Sequence, residues 1–282
     1  MHSAAIRTID VRHQDAERVV GVFLLGDVLI DCGPAARVET LLEQLGEQRP
    51  RVLALTHIHL DHAGAAGTLV RHWPDLEVWV HARGAAHLID PAKLLASATR
   101  LYGDDMDRLW GPVLAVPEAN VRVLHGGERL GGFEVAYTPG HASHHVSYRH
   151  LESATAFVGD VAGVRVAPSE HVLPPTPPPD IDIEAWLRSL DQLRSWDPAA
   201  LAINHFGLFG DVRSHLQRMA AALERFAARA RTMSLEQFVA ATRAEIDADP
   251  AAATAAGYAL TAPAEQSYAG LARYWSKREA VA

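Results

Sequence analysis

The segment Thr56-His57-Ile58-His59-Leu60-Asp61-His62 follows directly on the apolar run Val52-Leu53-Ala54-Leu55. With 16 His among 282 residues, chance puts an H-x-H-x-D-H pattern into such a chain with a probability of roughly 0.003. Three neutral imidazoles and a carboxylate form a donor set for Zn or Fe, whereas Ca or Mg would call for mostly oxygen ligands. So compact a segment can hardly give all four donors to one ion. The pattern therefore suggests two ions, with further ligands supplied from elsewhere in the chain.

The elements that must position these donors are legible around them. Residues 52–55 are short and continuously apolar, the pattern of a strand covered on both faces, so the donors emerge at its C-terminal end. Side chains alternate with period two along a strand, which would put His57 and His59 on one side. Asp61 and His62 fall just past it, where Ala63-Gly64-Ala65-Ala66-Gly67 lets the backbone turn and start a helix. Three more apolar runs each end on a donor. Phe133–Tyr137 is followed by Thr138-Pro139-Gly140-His141, residues 154–158 by Gly159-Asp160, and Ala200–Ile203 by Asn204-His205-Phe206-Gly207.

In this order, from about Ile30 to Gly207, the chain resembles the metallo-β-lactamase-fold superfamily. The resemblance implies a two-metal site with His57, His59 and His141 on one ion. Asp61, His62 and His205 would hold the second, with Asp160 bridging. It also implies a four-layer α/β/β/α sandwich. Members include β-lactamases, thioester hydrolases, lactonases, nucleases, persulfide dioxygenases and diiron oxidoreductases, and the fold does not choose among them. The diiron oxidoreductases carry Glu where this chain has His59, and the extra His motifs and insertions of the nuclease branches are not found here. Gly140-His141-Ala142-Ser143-His144-His145 with the proline-rich loop at 174–179 looks like an uncharacterised bacterial and archaeal subgroup of hydrolases. There His145 matches a histidine near the site that does not ligate.

Around this framework, residues 18–25 and 28–31 read as strands of a hairpin about Gly26-Asp27. Residues 37–45 have helical spacing, and Glu77–His81 is another strand. Between 84 and 116 the pattern turns to Ala-rich helices, an insertion over the site. From residue 212 to 282 it is almost wholly helical, with breaks near 232–234, 249–250 and 261–263 and a capping box from Ser234 to Gln237. The expected organisation is a metallo-β-lactamase-like domain over 1–211 and a helical C-terminal subdomain over 212–282, the latter forming either a homodimer surface or part of the pocket rim. Tyr102, Trp110, Phe206 and Phe209 are candidates for lining an apolar pocket. The stiff 174–179 loop is expected to cross near it.

Composition points to a cytoplasmic enzyme. No apolar run approaches the roughly 20 residues of a membrane span, and residues 1–18 lack the apolar core of a signal peptide. The one cysteine, Cys32, cannot form an internal disulfide and reads as a buried thiol. A formal charge of −8, with 34 acidic against 26 basic residues, argues against a nucleic-acid partner and for a small-molecule substrate. The expected cofactors are two divalent ions, zinc first, with Fe or Mn as alternatives. Ions about 3.5–4 Å apart share a water and lower its pKa from 15.7 to near 7, with Asp61 as ligand and proton acceptor. The chain thus reads as a dinuclear hydrolase of a small ester, thioester, lactone or amide. The alternative is a mononuclear Fe oxidoreductase of the persulfide dioxygenase type.

Overall fold

The computed structural model describes residues 5–280. Among these residues, twelve strands form two six-stranded sheets. The first contains β1 (Arg7–Asp10), β2 (Gly21–Leu25), β3 (Val28–Ile30), β4 (Val52–Ala54), β5 (Glu77–His81) and β6 (Val121–Leu124), in chain order. The second contains β7 (Arg129–Leu130), β8 (Phe133–Tyr137), β9 (Val146–His150), β10 (Thr155–Phe157), β11 (Ala200–Ile203) and β12 (Gly207–Phe209), again side by side in sequence order. The helices are α1 (Val38–Leu45), α2 (Leu60–Ala63), α3 (Ala66–His72), α4 (Ala82–Ile89), α5 (Ala92–Tyr102), α6 (Met106–Leu109), α7 (Ile183–Ser195), α8 (Val212–Thr232), α9 (Leu235–Asp247), α10 (Pro250–Ala253), α11 (Ala256–Thr261) and α12 (Ala264–Glu279).

Period-two alternation sorts the strand residues into layers. Val22, Leu24, Leu29, Leu53, Val78 and Val80 point outward from the first sheet and pack with Leu41 and Leu45 of α1 and Leu69 of α3. Their neighbours Phe23, Ile30, Ala54 and Trp79 point inward to meet Phe133, Val135, Tyr148 and Phe157 of the second sheet. Ala156, Leu201 and Ile203 point outward again, against Trp186 and Leu190 of α7 and Phe226 of α8. The result is the α/β/β/α sandwich. The hairpin at Gly26-Asp27, the three breaks in the tail and the Ser234–Gln237 capping box all occur where the sequence places them.

The C-terminal helices do not stand apart. Leu216, Met219 and Phe226 of α8, Phe238 of α9, Tyr258 of α11 and Leu271 of α12 share one continuous core with Val161 and Trp186 beneath the second sheet. Burying side chains of this size contributes about 1.5–3 kcal/mol each, so the tail is part of what stabilises the sandwich. No helix among the described residues is long and apolar enough to cross a membrane.

Gly140 shows how tightly the helical layer presses on the second sheet. Its φ is +138°, and a Cβ there would lie 2.3 Å from Cα of Trp186. The atoms it would meet, Cα, Cβ and N of Trp186, are fixed by the backbone, so no rotamer change relieves the clash. Gly140→Ala should therefore cost about 3 kcal/mol, read as a lower urea midpoint at unchanged m-value. An unaltered midpoint would mean that α7 is not seated against this turn.

Candidate metal centre

Parallel pairing aligns the ends of the strands that carry the site. Ile30 of β3 pairs with Ala54 of β4, and Phe157 of β10 with Ala202 of β11. The segments following all four strands, together with the 138–145 loop between β8 and β9, therefore open at the same edge of the sandwich. The strand before the histidine motif ends at Ala54, so His57 and His59 lie in a loop and strand alternation does not aim them. The helix also starts earlier than the glycines suggested. Leu60 opens α2, placing Asp61 and His62 in a helical turn, where the His62 and Ala63 N–H groups donate to the His59 carbonyl at 3.0 and 2.9 Å.

All seven sequence-predicted donors converge. Nε2 of His57 lies 3.0 Å from Nδ1 of His59, which lies 2.9 Å from Nε2 of His141. On the other side Asp61 Oδ2 lies 3.5 Å from His62 Nε2 and 3.4 Å from His205 Nε2, and the two imidazole nitrogens are 3.3 Å apart. Asp160 stands between the groups. Its Oδ2 is 3.3 Å from His141 Nε2, while its Oδ1 is 3.1 Å from His62 and 3.2 Å from His205. Each triad, and His57, His62 and Asp160 as a third group, holds its donor atoms within 4.8 Å of one another.

These spacings suit metal ligands. A tetrahedral shell with bonds of about 2.0–2.1 Å separates neighbouring donors by about 3.3 Å. Asp160 Oδ1 is buried and has no hydrogen-bond partner, although a buried carboxylate oxygen is costly to leave unpaired. Cations between the two triads would complete it.

The outer nitrogens of four imidazoles are tied down. His141 Nδ1–H donates to the Pro175 carbonyl at 2.9 Å and His205 Nδ1–H to the Val19 carbonyl at 2.6 Å. His62 Nδ1–H donates to Asp31 Oδ2 at 2.8 Å, and His57 Nδ1–H to the Thr56 hydroxyl at 3.1 Å. Thr56 in turn donates its hydroxyl and its backbone N–H to Asp31, each at 2.7 Å. Such contacts fix tautomer and ring orientation.

Asp31 is not singled out by local sequence pattern, which shows residues 29–34 only as a strand and turn around Cys32. It is fully buried, sits at φ +57° directly after β3, and fixes both halves of the motif. The available signal was a lone carboxylate ending an otherwise apolar strand. Cys32 beside it is buried, with Sγ 3.2 Å from the His62 carbonyl, and burial pushes its thiol pKa up.

Electrostatics divide the two groups. Burial, reinforced by neighbouring imidazoles, holds His57 well below the ordinary imidazole range and His59 down at about 4. These rings are neutral, with lone pairs available. For His62 and His205 burial acts in the same direction, but Asp160 and Asp61 outweigh it, raising His62 and bringing His205 to about 9. Burial would raise Asp61 and Asp160, yet the facing histidines hold both below the usual carboxylate range. Without cations this half shares protons between carboxylates and imidazoles, and cations would displace them.

A cavity of ≈ 920 Å³ opens over His59, Asp61 and Asp160, walled by Tyr102 and Trp110 from the insertion, the 177–179 prolines, and Leu260 and Arg273 from the tail. The aromatic set proposed from sequence splits. Phe209 is packed in the core under the Arg165 guanidinium, 4.3 Å from its ring, and Phe206 lies against Gly21, so neither lines the cavity. His145 is buried beside the site with Nδ1 2.9 Å from the Thr138 hydroxyl and belongs to neither triad.

Asp31→Ala leaves His62 and Thr56 without their shared acceptor. The affinity of the Asp61/His62/His205 group for metal should fall roughly 10–100-fold, while one ion per chain is retained on the other triad. Competition with a chelator of graded strength reads both. Equal retention of two ions by the variant would remove Asp31 from this role.

The comparisons with known proteins agree with this geometry. A family model described as Metallo-beta-lactamase superfamily matches residues 23–205, more than half of the chain. The metallo-beta-lactamase fold-containing protein ST1585 of Sulfurisphaera tokodaii is 30% identical over 203 residues, covering 68% of this chain and 74% of that protein. Its crystal structure superposes with a TM-score of 0.65 at 25% identity, over 79% of this chain and 86% of that one. The structure of TTHA1623 in a di-iron-bound form matches with a TM-score of 0.54 at 30% identity, over 72% and 93% of the respective chains. The hydroxyacylglutathione hydrolase GloC of Haemophilus influenzae is 31% identical over 130 residues, 45% of this chain and 58% of that enzyme. With its strand order, its converging histidines and carboxylates and these matches in agreement, the chain belongs to the metallo-beta-lactamase superfamily.

Proposed function

We propose that the protein is a dinuclear metal-dependent hydrolase of a small ester, thioester, lactone or amide. The observation that carries this reading is the Asp160 carboxylate, which faces His141 through one oxygen and His62 and His205 through the other. A site for a single ion needs neither Asp61 nor His205 on the far side of that carboxylate. Two divalent ions held here would supply Lewis acidity and a water acidic enough to ionise near neutral pH. The donor set suits zinc, and the di-iron-bound relative keeps iron as the alternative.

The chain's own residues divide the remaining work. Asp160 is almost wholly enclosed, whereas the Asp61 side chain is 20% exposed and lines the cavity. Asp61 is therefore the carboxylate positioned to take up a proton from a reacting group. Tyr102 and Trp110 give the substrate an apolar wall, and the prolines at 177–179 give it a rigid one. The cavity volume is in the range of small-molecule sites, which fits the chain's acidic balance in favouring a small substrate over a nucleic acid. A thioester is the first class to test, because the hydroxyacylglutathione hydrolase relatives are named for one.

Zinc-, iron- and manganese-loaded protein screened against esters, thioesters, lactones and amides should show hydrolysis without oxygen. Asp61→Asn preserves size but cannot accept the proton, so turnover of the best substrate should fall roughly 10²–10⁴-fold with the fold intact. Near-normal turnover in that variant would take Asp61 out of the mechanism. Oxygen consumption by protein carrying one Fe per chain would replace the hydrolase with the oxidoreductase reading.

A further inference from the structure

The loop between β1 and β2 holds a histidine that the metal site does not use. His13 is 3% exposed and lies in the wall of the same cavity as His59, Asp61 and Asp160. Its ring stacks on Trp110, with centroids 5.3 Å apart and planes 19° from parallel, and Trp110 meets Tyr102 edge-on at 4.9 Å. The buried Nδ1 of His13 has no hydrogen-bond partner, and neither has the buried Nε1–H of Trp110. Two orphaned polar atoms in one stacked pair are unusual in a folded protein, and the pair forms part of the cavity wall beside Asp61.

The loop is built at some expense to present this ring. Arg12, Gln14, Asp15 and Arg18 all have left-handed backbones, with φ between +50° and +59°, a conformation non-glycine residues rarely adopt. Asp10 holds the turn by accepting the backbone N–H groups of Arg12 and Arg18 at 2.9 and 2.7 Å, and Arg37 pairs with Asp15 at 2.8 Å. Strained backbone of this kind is typical of functional loops. The same loop supplies the Val19 carbonyl that orients His205, so His13 is registered directly to the Asp61 half of the site. Burial holds its imidazole down at about 4 despite the pull of Asp61, which leaves it neutral and able both to donate and to accept.

We propose that His13, backed by Trp110, is a substrate-contacting residue that hydrogen-bonds an oxygen of the substrate beside Asp61. The chemical class it recognises is a carbonyl, hydroxyl or carboxylate oxygen next to the scissile group. The proposal rests on the hydrolase reading for the identity of the reaction, but not for the contact itself.

His13→Phe keeps the stacking ring and removes both nitrogens, while His13→Gln restores a polar group. With zinc-loaded protein and the best ester or thioester of the screen, His13→Phe should lose roughly ten-fold in kcat/KM with metal content unchanged, and His13→Gln should recover part of it. Wild-type kcat/KM in His13→Phe would overturn the proposal, and so would a loss that tracks lost metal. Acetate titrated into zinc-loaded wild-type protein, followed on the His13 ring nitrogens by NMR, tests the contact independently of turnover. Shifted signals support it and unmoved signals overturn it, even if no compound of the screen is hydrolysed and the hydrolase reading fails.

Discussion

Five imidazoles and two carboxylates face one another across a buried volume, and the rest of the structure is arranged to hold them there. Their donor atoms sit 2.9–3.5 Å apart, closer than unpaired lone pairs would choose, because four of the five rings are set from behind rather than by their neighbours. Burying such groups without partners is expensive, and cations at the centre would offset that cost. The parallel strand ends, the buried Asp31 and the backbone carbonyls of Val19 and Pro175 all serve that convergence.

This constraint explains why the C-terminal helices cannot be treated as an addition. The carbonyl that orients His141 belongs to Pro175, in the proline-rich loop, and that loop rests on α12. The Thr176 hydroxyl donates to the Ser267 carbonyl at 3.1 Å, and a Cβ at Gly270 would come within 2.0 Å of the Thr176 carbonyl. The tail thus braces a metal-site histidine from behind while its α11–α12 corner walls the cavity in front. One set of packing contacts couples stability, ligand orientation and pocket shape.

Much of this was legible in the sequence because the donors are covalently close to strong signals. The H-x-H-x-D-H segment abuts an apolar run, and His141, Asp160 and His205 each follow a short strand, so local pattern placed them near a common edge. The residues that orient them were not legible in the same way. Asp31 meets Thr56 and His62 only because β3 and β4 pair in parallel, and no local periodicity announces which carbonyl will face a ring. Phe209 shows the converse. Its aromatic character suggested a pocket wall, but tertiary packing placed it under Arg165 in the core. Helix boundaries in the tail were readable from Ser234, Pro250 and Pro263, whereas the merging of those helices into the sandwich core depends on long-range contacts.

The central claim is that one carboxylate joins two metal positions. Anomalous scattering from a crystal of the metal-loaded protein tests it most directly. The account predicts two peaks about 3.5–4 Å apart, one within bonding distance of His57, His59 and His141, the other of Asp61, His62 and His205, with Asp160 reaching both. A single peak on the first triad, with Asp61 and His205 turned away, would contradict it.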